Sequence, residues 1–131
     1  MFIDASVMVA MMTDEAEARA FAVRLQASTV RLTSPIEVAN AASAVSVILS
    51  VRPVMTAEAI GRFLQLMNIQ VLAIPPRAAF VALEAQSAFG LGTHAANLTS
   101  DECMTYACAR YYRQPLLFKS GGFALTDIDI A

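Results

Sequence analysis

Charged residues are scarce in this sequence. They make up 15% of the 131 residues, whereas 57% are hydrophobic, and a typical globular domain is about 25% charged. A chain of this length builds one substantial core, but its surface is large relative to its volume. We therefore expect one domain, residues 1–131, with an apolar surface that a second copy or another protein covers.

Long apolar runs and a targeting signal are also lacking. Ser, Thr, Arg or Pro interrupts every apolar stretch well before the roughly 18–20 residues that a membrane-spanning helix needs. Residues 1–4 lack the basic and apolar start of a secretion signal. The only two cysteines, Cys103 and Cys108, have no zinc-type spacing to another Cys or to His. These features predict no membrane association and a cytoplasmic location, where both thiols stay reduced and buried.

Several common functional motifs are missing. There is no P-loop or dinucleotide glycine pattern, and no serine has a base at recognisable spacing. The net charge of −2 and the pI near 5.2 argue against a general nucleic-acid binder. RNA contact would need metal ions or a local basic patch, for which the candidates are Arg52, Arg110, Arg113 and Lys119. The alternative is that these four are ordinary solvated charges.

The hydrophobic periodicity changes repeatedly between strand and helix. Apolar runs at Phe2–Ile3, 30–33, 69–74 and 116–118 predict four strands, and helical segments precede the last three. This alternation predicts an α/β fold, a mostly parallel sheet with helices on both faces. Sites in such sheets form at the carboxyl ends of strands, where Asp4, Ser34 and Ser120 fall.

Helix starts are marked by capping patterns. Ser6 is positioned to cap a helix over residues 7–12, and Thr13 to Glu15 predict a helix that reaches about Gln26. The segments 34–37 and 99–102 each place a Glu three residues after a Ser or Thr, which is typical of a capping box. Further helices are predicted from about residue 56 and over Ala78–Phe89.

The acids near the strand ends are the candidate site residues. Converging carboxylates hold Mg²⁺ or Mn²⁺, which activate water and stabilise charge on a phosphate. Asp4 is the leading candidate ligand, and its alternative role is to cap the following helix. Glu37 and Glu102 are candidates whose alternative role is the capping box, and Asp101 has the alternative of favouring the helix dipole.

The remaining polar residues have plainer expectations. Asp127 and Asp129 are expected to be solvated acids near the end of the sequence. His94 follows a glycine-rich loop and lacks the neighbours of a catalytic base, so we expect an ordinary loop histidine.

Five segments, in order along the chain, resemble the VapC-type PIN-domain toxins. They are MFIDAS at residues 1–6, LTSPI at 32–36, GTHAANL at 92–98, PLLFK at 115–119 and ALTDI at 124–128. The resemblance implies a Rossmann-like three-layer sandwich and cleavage of RNA that depends on Mg²⁺ or Mn²⁺. It also implies a homodimer and neutralisation by a small antitoxin protein.

The resemblance also assigns the acid positions of the family. Its first acid corresponds to Asp4, its helix-borne Glu to Asn40, its Asp before the Cys to Glu102, and its last acid to Gly122. The candidate catalytic residues are then Asp4 and Glu102. The candidate metal ligands are Asp4, Glu102, Asp101, Glu37 and Asn40.

Three of these four acid positions differ from the family pattern. Asn40 keeps only a neutral oxygen, Glu102 shifts the carboxylate by about one methylene, and Gly122 supplies no ligand, which implies metal binding that is weakened or lost. Two main functions remain open. One is an endoribonuclease toxin with a remodelled site, and the other is an inactive PIN fold that binds an antitoxin or a partner subunit. Hydrolysis of another phosphate ester is a third, weaker possibility.

Overall fold

A computed structural model describes all residues from Met1 to Ala131. Its four strands are β1 (Phe2–Ile3), β2 (Leu32–Thr33), β3 (Gln70–Val71) and β4 (Leu116–Leu117). Its six helices are α1 (Ala5–Met12), α2 (Ala18–Gln26), α3 (Pro35–Ile48), α4 (Pro53–Leu66), α5 (Ala78–Phe89) and α6 (Ser100–Tyr111). A 3₁₀ turn over Gly122–Leu125 follows β4.

The four strands form one parallel sheet in the order β3-β2-β1-β4. Phe2 is in register with Leu32 on one side and with Leu116 on the other. Because all strands run the same way, their carboxyl ends meet at one edge of the sheet. Asp4 follows β1 directly at that edge, and its N–H donates to the Leu117 carbonyl oxygen (3.0 Å).

The sheet separates two hydrophobic cores. Successive strand residues point to opposite faces, so Phe2 and Leu116 pack with α5 and α6. Ile3 and Leu117 pack with residues of α1, α2, α3 and α4 on the other face. The predicted fold class, a mostly parallel sheet between two helical layers, is therefore confirmed.

Several predicted boundaries were wrong. The second, third and fourth strands are two residues long, because only the part that faces a neighbouring strand forms ladder hydrogen bonds. The helix predicted from Thr13 begins instead at Ala18, since Asp14 adopts a left-handed conformation with φ of 54°. The helix expected from residue 56 begins at Pro53, which occupies its first turn. The helix over Ala78–Phe89 was predicted correctly.

The expected exposed apolar surface lies where α3 ends and α4 begins. Val47 and Val54 are 78% and 68% exposed. We call this the α3–α4 apolar surface; its exposed members are Val47, Ile48, Leu49, Val51, Val54 and Met55. No helix is both long and apolar enough to cross a bilayer. Both cysteines are free and buried, as predicted.

Candidate functional site

Asp4 stands between a strand end and a helix start. Its Oδ2 accepts a hydrogen bond from the Ser6 N–H (2.8 Å) and contacts the Ser6 hydroxyl. Asp4 is therefore the N-cap of α1, and the prediction that Ser6 caps this helix was wrong. The side chain is almost fully buried, and only its Oδ2 takes part in these capping contacts. A site role for Asp4 is compatible with capping because its other oxygen does not take part in the capping contacts.

Glu37 lies beside Asp4 rather than closing a capping box. Ser34 Oγ accepts weakly from the Glu37 N–H (3.5 Å). The Glu37 carboxylate, in contrast, points across to the start of α1, where its Oε2 accepts from the Ala5 N–H (2.7 Å). Only 2% of Glu37 is exposed. The Glu37 carboxylate from α3 and the Asp4 carboxylate, which follows β1, thus meet at the carboxyl edge of the sheet.

Thr105 fixes the second oxygen of Glu37. The Thr105 hydroxyl, which is on α6, contacts Glu37 Oε1 and also lies 3.1 Å from the Asp101 carbonyl oxygen. A hydroxyl has one proton and can donate to one of these acceptors at a time. A proton on Glu37 satisfies all three groups: Glu37 donates to Thr105, and Thr105 donates to the Asp101 carbonyl.

The environment favours such a proton. Burial, and next the Asp4 carboxylate, raise the pKa of Glu37 to about 7. Burial also raises the pKa of Asp4 above its usual range, although its hydrogen bonds from Ser6 oppose that shift. Neither acid takes part in any of the four salt bridges of the chain. The pair therefore consists of two buried acids that have no basic partner and that only neutral groups contact.

Asn40 and Asp101 lie together at the exposed side of this pair. The Asn40 side-chain amide donates to Asp101 Oδ2 (3.4 Å), which joins α3 to the start of α6. The resemblance to the VapC-type PIN-domain toxins assigned the helix-borne acid of the family to Asn40. In the structure Glu37, one turn earlier, is the α3 carboxylate that reaches Asp4.

Glu102 completes the predicted capping box of α6. Its Oε2 accepts from the Thr99 N–H (2.8 Å), and its own N–H donates to Thr99 Oγ1 (3.2 Å). The charge of Glu102 nevertheless contributes to raising the pKa of Asp4, so it lies within electrostatic reach of the pair. Its free Oε1 faces the backbone of Gly121.

Gly122 has no space for the missing fourth acid. A Cβ built on Gly122 would overlap the carbonyl group of Ala96. The segment after β4 therefore passes the 90–98 loop at a distance that only glycine permits. Any side chain at this position requires the backbone to move.

A cleft of about 470 Å³ opens next to the buried pair. Its walls come from α1, the turn between α1 and α2, α3 and the segment after β4. Its polar lining consists of Ser6, Glu15, Asn40, Lys119 and Ser120. The Ser6 hydroxyl accepts from the Lys119 N–H (3.0 Å) and so connects this wall to Asp4. Of the four basic candidates, Lys119 is the one that lines this cleft.

The other basic and polar candidates lie elsewhere. Arg110 pairs with Asp127 (2.5 Å), and Asp127 also accepts from the Tyr106 hydroxyl (2.6 Å). Asp127 and Asp129 are exposed, as expected, but Asp127 is also held by Tyr106 and Arg110 on α6, which the sequence did not predict. His94 is a loop residue whose Nδ1 accepts from the Ala96 N–H (3.0 Å).

The sequence analysis missed Thr105 and the acids that pair with Lys119. Lys119 Nζ contacts Glu15 and lies 3.2 Å from Glu17. The only sequence signal for Thr105 is a β-branched hydroxyl residue inside an apolar helix. Nothing in its local pattern indicates that its partner lies 68 positions earlier in the chain.

Comparison with known proteins identifies the family. The PIN domain family model matches residues 1–127. The chain is 33% identical to ribonuclease VapC30 of Mycobacterium tuberculosis, covering 98% of this chain and 95% of that protein. It is also 33% identical to a ribonuclease VapC of Mycolicibacterium smegmatis, over 98% and 97% of the two chains.

A solved structure supports the same fold. The crystal structure of Mycobacterium tuberculosis VapC20, described as a toxin that cleaves the sarcin-ricin loop, superposes with a TM-score of 0.75 at 16% identity. The match covers 99% of this chain and 97% of that one. At this identity the likeness concerns the fold alone. Together with the near-complete sequence matches, it means that this chain belongs to the VapC group of the PIN-domain family.

Proposed function

We propose that this chain is an endoribonuclease of the VapC type, with its reaction centre at Asp4, Glu37 and Glu102. The observation that carries the proposal is the buried Asp4–Glu37 pair at the carboxyl edge of the parallel sheet. Acids that are buried without a basic partner reduce the stability of the fold. Such acids are found mainly at functional sites. The inactive scaffold is not favoured, because relatives that align over nearly the whole chain are named ribonucleases.

The donor chemistry of this pair suits a hard divalent cation. Mg²⁺ and Mn²⁺ prefer carboxylate oxygens, and Asp4 and Glu37 bring two such groups together without a basic side chain to neutralise them. The structure has no group of three His, Cys, Asp or Glu side chains arranged around one point. We therefore infer that Asp4 and Glu37 would hold the ion, and that Glu102 would add its charge from the capping box.

Such an ion, when bound, would supply the positive charge that activates water and stabilises a phosphate under attack. The chain itself positions the acids. Ser6 holds Asp4, while Ala5 and Thr105 hold Glu37. Asn40 and Asp101, which were candidate ligands, hydrogen-bond to each other and would border the site as neutral and negative polar groups.

Cleavage of a structured RNA in the presence of Mn²⁺ tests this function. Wild type is expected to cut the RNA at discrete positions, and Asp4→Asn, which keeps the acceptor for the Ser6 N–H, is expected to lower the rate by at least about 100-fold. Asp129→Asn removes an exposed acid away from the pair and is the matched control, with an unchanged rate. Equal cleavage by wild type and Asp4→Asn would contradict the proposal.

We also infer the partners of this enzyme. The substrate is RNA, and a small antitoxin protein and a second copy of the chain cover its apolar surfaces. The support is the composition, which leaves large apolar side chains exposed on α3, α4 and α5, and the family to which the chain belongs. A small reading frame directly upstream that encodes a protein able to co-purify with this chain would support the antitoxin.

A further inference from the structure

The cleft next to Asp4 contains one ammonium group that the proposed reaction centre does not use. We propose that this cleft seats the RNA strand, with Lys119 as its phosphate contact and with Glu15 and Glu17 occupying Lys119 until a phosphate displaces them. This inference rests on the proposed function, because it names how the substrate reaches the same site. It adds a substrate-binding residue and two carboxylates that regulate it.

The position of the cleft is the first argument. With a volume of about 470 Å³ it is the largest cavity of the chain. One wall contains Ser6, whose hydroxyl contacts the Asp4 carboxylate. An RNA strand lying in this cleft would therefore pass directly beside Asp4, the acid that the proposed function requires.

The charge of the cleft is the second argument. An RNA strand carries one negative charge per phosphate, and its affinity for proteins comes largely from Lys and Arg contacts. The protein has a net charge of −2, so binding needs a local cation, and Lys119 is the basic residue in this lining. The opposite wall presents Asn40, a neutral amide at the position where the resemblance places a carboxylate. That exchange leaves Glu15 as the one acid among the residues that line the cleft.

The third argument is how Lys119 is held. Its backbone N–H donates to Ser6 Oγ (3.0 Å). This hydrogen bond fixes the backbone of Lys119 close to Asp4. Its ammonium group contacts Glu15 and Glu17, which lie in the turn between α1 and α2. The side chains of Lys119, Glu15 and Glu17 are 30%, 32% and 49% exposed. Ion pairs that are exposed to this degree contribute little, so a phosphate can replace a carboxylate at small cost.

Neutral donors complete the lining. Ser120 follows Lys119 and brings a hydroxyl to the same wall, and the Asn40 amide has a second N–H beyond the one given to Asp101. Hydroxyl and amide groups are common partners of phosphate and ribose oxygens. The cleft thus offers one cation and two neutral donors beside the reaction centre, and its one lining acid, Glu15, is a carboxylate that Lys119 contacts. Once a phosphate displaces that carboxylate, the cation and the two donors match one backbone phosphate with its sugar.

RNA binding without cleavage tests the inference. We suggest fluorescence anisotropy with a labelled single-stranded RNA of about eight nucleotides, in EDTA, with Asp4→Asn as the parent protein so that no RNA is cut. Lys119→Met in this parent is expected to weaken binding about fivefold to tenfold. The slope of log affinity against log salt concentration is expected to fall by about 0.7, the value for one lost phosphate contact on a single strand.

The carboxylates provide the reciprocal test. Glu17→Gln is expected to tighten RNA binding by about twofold to fivefold, because it frees Lys119 from one competitor. The gain is expected to disappear when Lys119→Met is added, since the two residues act through one contact. Arg62→Met and Glu58→Gln are the matched controls, because they alter an equally simple ion pair (2.7 Å) on the exposed surface of α4, and neither is expected to change binding by more than about 1.5-fold.

The possible results separate this inference from the proposed function. RNA affinity and salt slope that are the same for Lys119→Met as for Arg62→Met would overturn the role of the cleft, and cleavage that depends on Asp4 would still stand. Binding that depends on Lys119, together with no cleavage by the wild-type protein, would support the cleft and overturn the nuclease instead. Circular dichroism of each variant establishes that the fold is retained.

Discussion

The folded protein favours the protonated form of the Glu37 side chain. Its pKa of about 7 in the folded state compares with an ordinary value of 4.5, so the folded protein binds a proton there more tightly than the unfolded chain does. The stabilisation from this proton is complete below about pH 4.5 and is lost as the pH rises to about 7. At roughly 1.4 kcal/mol per pKa unit, the loss amounts to as much as about 3 kcal/mol.

We therefore predict that the metal-free protein is less stable at pH 8 than at pH 5, with a melting temperature lower by about 5–10 °C. Glu37→Gln mimics the protonated acid, since its amide oxygen can accept from Ala5 and its NH₂ can donate to Thr105. In this variant most of the difference between the melting temperatures at pH 5 and pH 8 is expected to disappear. Thermal unfolding in EDTA at both pH values measures it, with Glu84→Gln on the exposed face of α5 as control. A wild-type melting temperature that rises from pH 5 to pH 8 would contradict the assignment of the proton to Glu37.

Two glycines allow a sharp comparison of steric demand. A Cβ at Gly122 would overlap the Ala96 carbonyl, whereas a Cβ at Gly61, in the middle of α4, meets nothing within 4 Å. Gly122→Ala is expected to destabilise the protein by about 2–4 kcal/mol, and Gly61→Ala to stabilise it by about 0.5–1 kcal/mol, because it favours the helix. Urea unfolding of both variants provides the measurement.

The same clash bears on the lost acid. Gly122→Asp is expected to be destabilised at least as much as Gly122→Ala, and it is not expected to increase cleavage. A Gly122→Asp protein that is as stable as wild type would show that the segment after β4 moves easily, contrary to the packing against Ala96.

The sequence predicted the position of Asp4 at the carboxyl edge of the sheet, but it left Glu37 with two possible roles, for a physical reason. Asp4 follows an apolar strand that starts the sheet, so its place at the carboxyl edge depends only on local pattern. Glu37 occupies a helix position that also fits a capping box, and the two roles differ only in the direction of the side chain. Its partners Ala5 and Thr105 come from other parts of the chain. Such long-range contacts cannot be deduced from spacing.

At the scale of a single element, the start of α6 has two roles that can be separated. Glu102 closes the capping box with Thr99 and also lies within electrostatic reach of Asp4. Gln serves equally well in a capping box. We therefore predict that Glu102→Gln changes stability by less than about 0.5 kcal/mol but lowers RNA cleavage by at least about tenfold.

Thr99→Ala is the matched structural variant. It removes the cap and is expected to cost about 1 kcal/mol, with a smaller effect on cleavage than Glu102→Gln. Unfolding and cleavage rates of the two variants together decide between the roles. If Glu102→Gln cleaves RNA as fast as wild type, Glu102 is a capping residue only and the reaction centre is limited to Asp4 and Glu37.

Element boundaries show which sequence signals are reliable. The helix start at Thr99 was predicted because the two members of the capping box lie only three residues apart in the sequence. The start of α3 was predicted because Ser34 is followed directly by a proline in the first turn. The start of α2 was not predicted correctly, because Asp14 takes a left-handed conformation. Asp tolerates this conformation, but the presence of an Asp does not predict it. The strands proved shorter than the apolar runs that contain them, since those runs extend into the loops that approach the sheet.

At the scale of the whole molecule, the low charge and the parallel sheet have linked consequences. The sheet uses its two faces for two cores, so helices α3, α4 and α5 must each face solvent on their outer side. With few charged residues available, those sides retain large apolar residues. The composition thus predicted that apolar surface would be exposed, but only the structure shows where it lies. The six residues of the α3–α4 apolar surface all lie within the segment 47–55, whereas α5 exposes only Phe80 and Leu83 as large apolar residues. The α3–α4 apolar surface is therefore the better candidate for contact between two copies.

We predict that the purified protein self-associates through the α3–α4 apolar surface. Val47→Asp combined with Val54→Asp places two charges among side chains that are largely exposed in the single chain and would be buried in a dimer. Each valine contributes about 1.5–3 kcal/mol when fully buried, so the double variant is expected to weaken the dimer by at least about 100-fold. Sedimentation velocity over a range of concentrations measures the change. Phe80→Asp, at a residue of α5 that is 70% exposed, is the matched control and is expected to leave the dimer intact. If Phe80→Asp dissociates the dimer and the valine variant does not, the contact between copies lies on α5, and the α3–α4 apolar surface is left for the antitoxin.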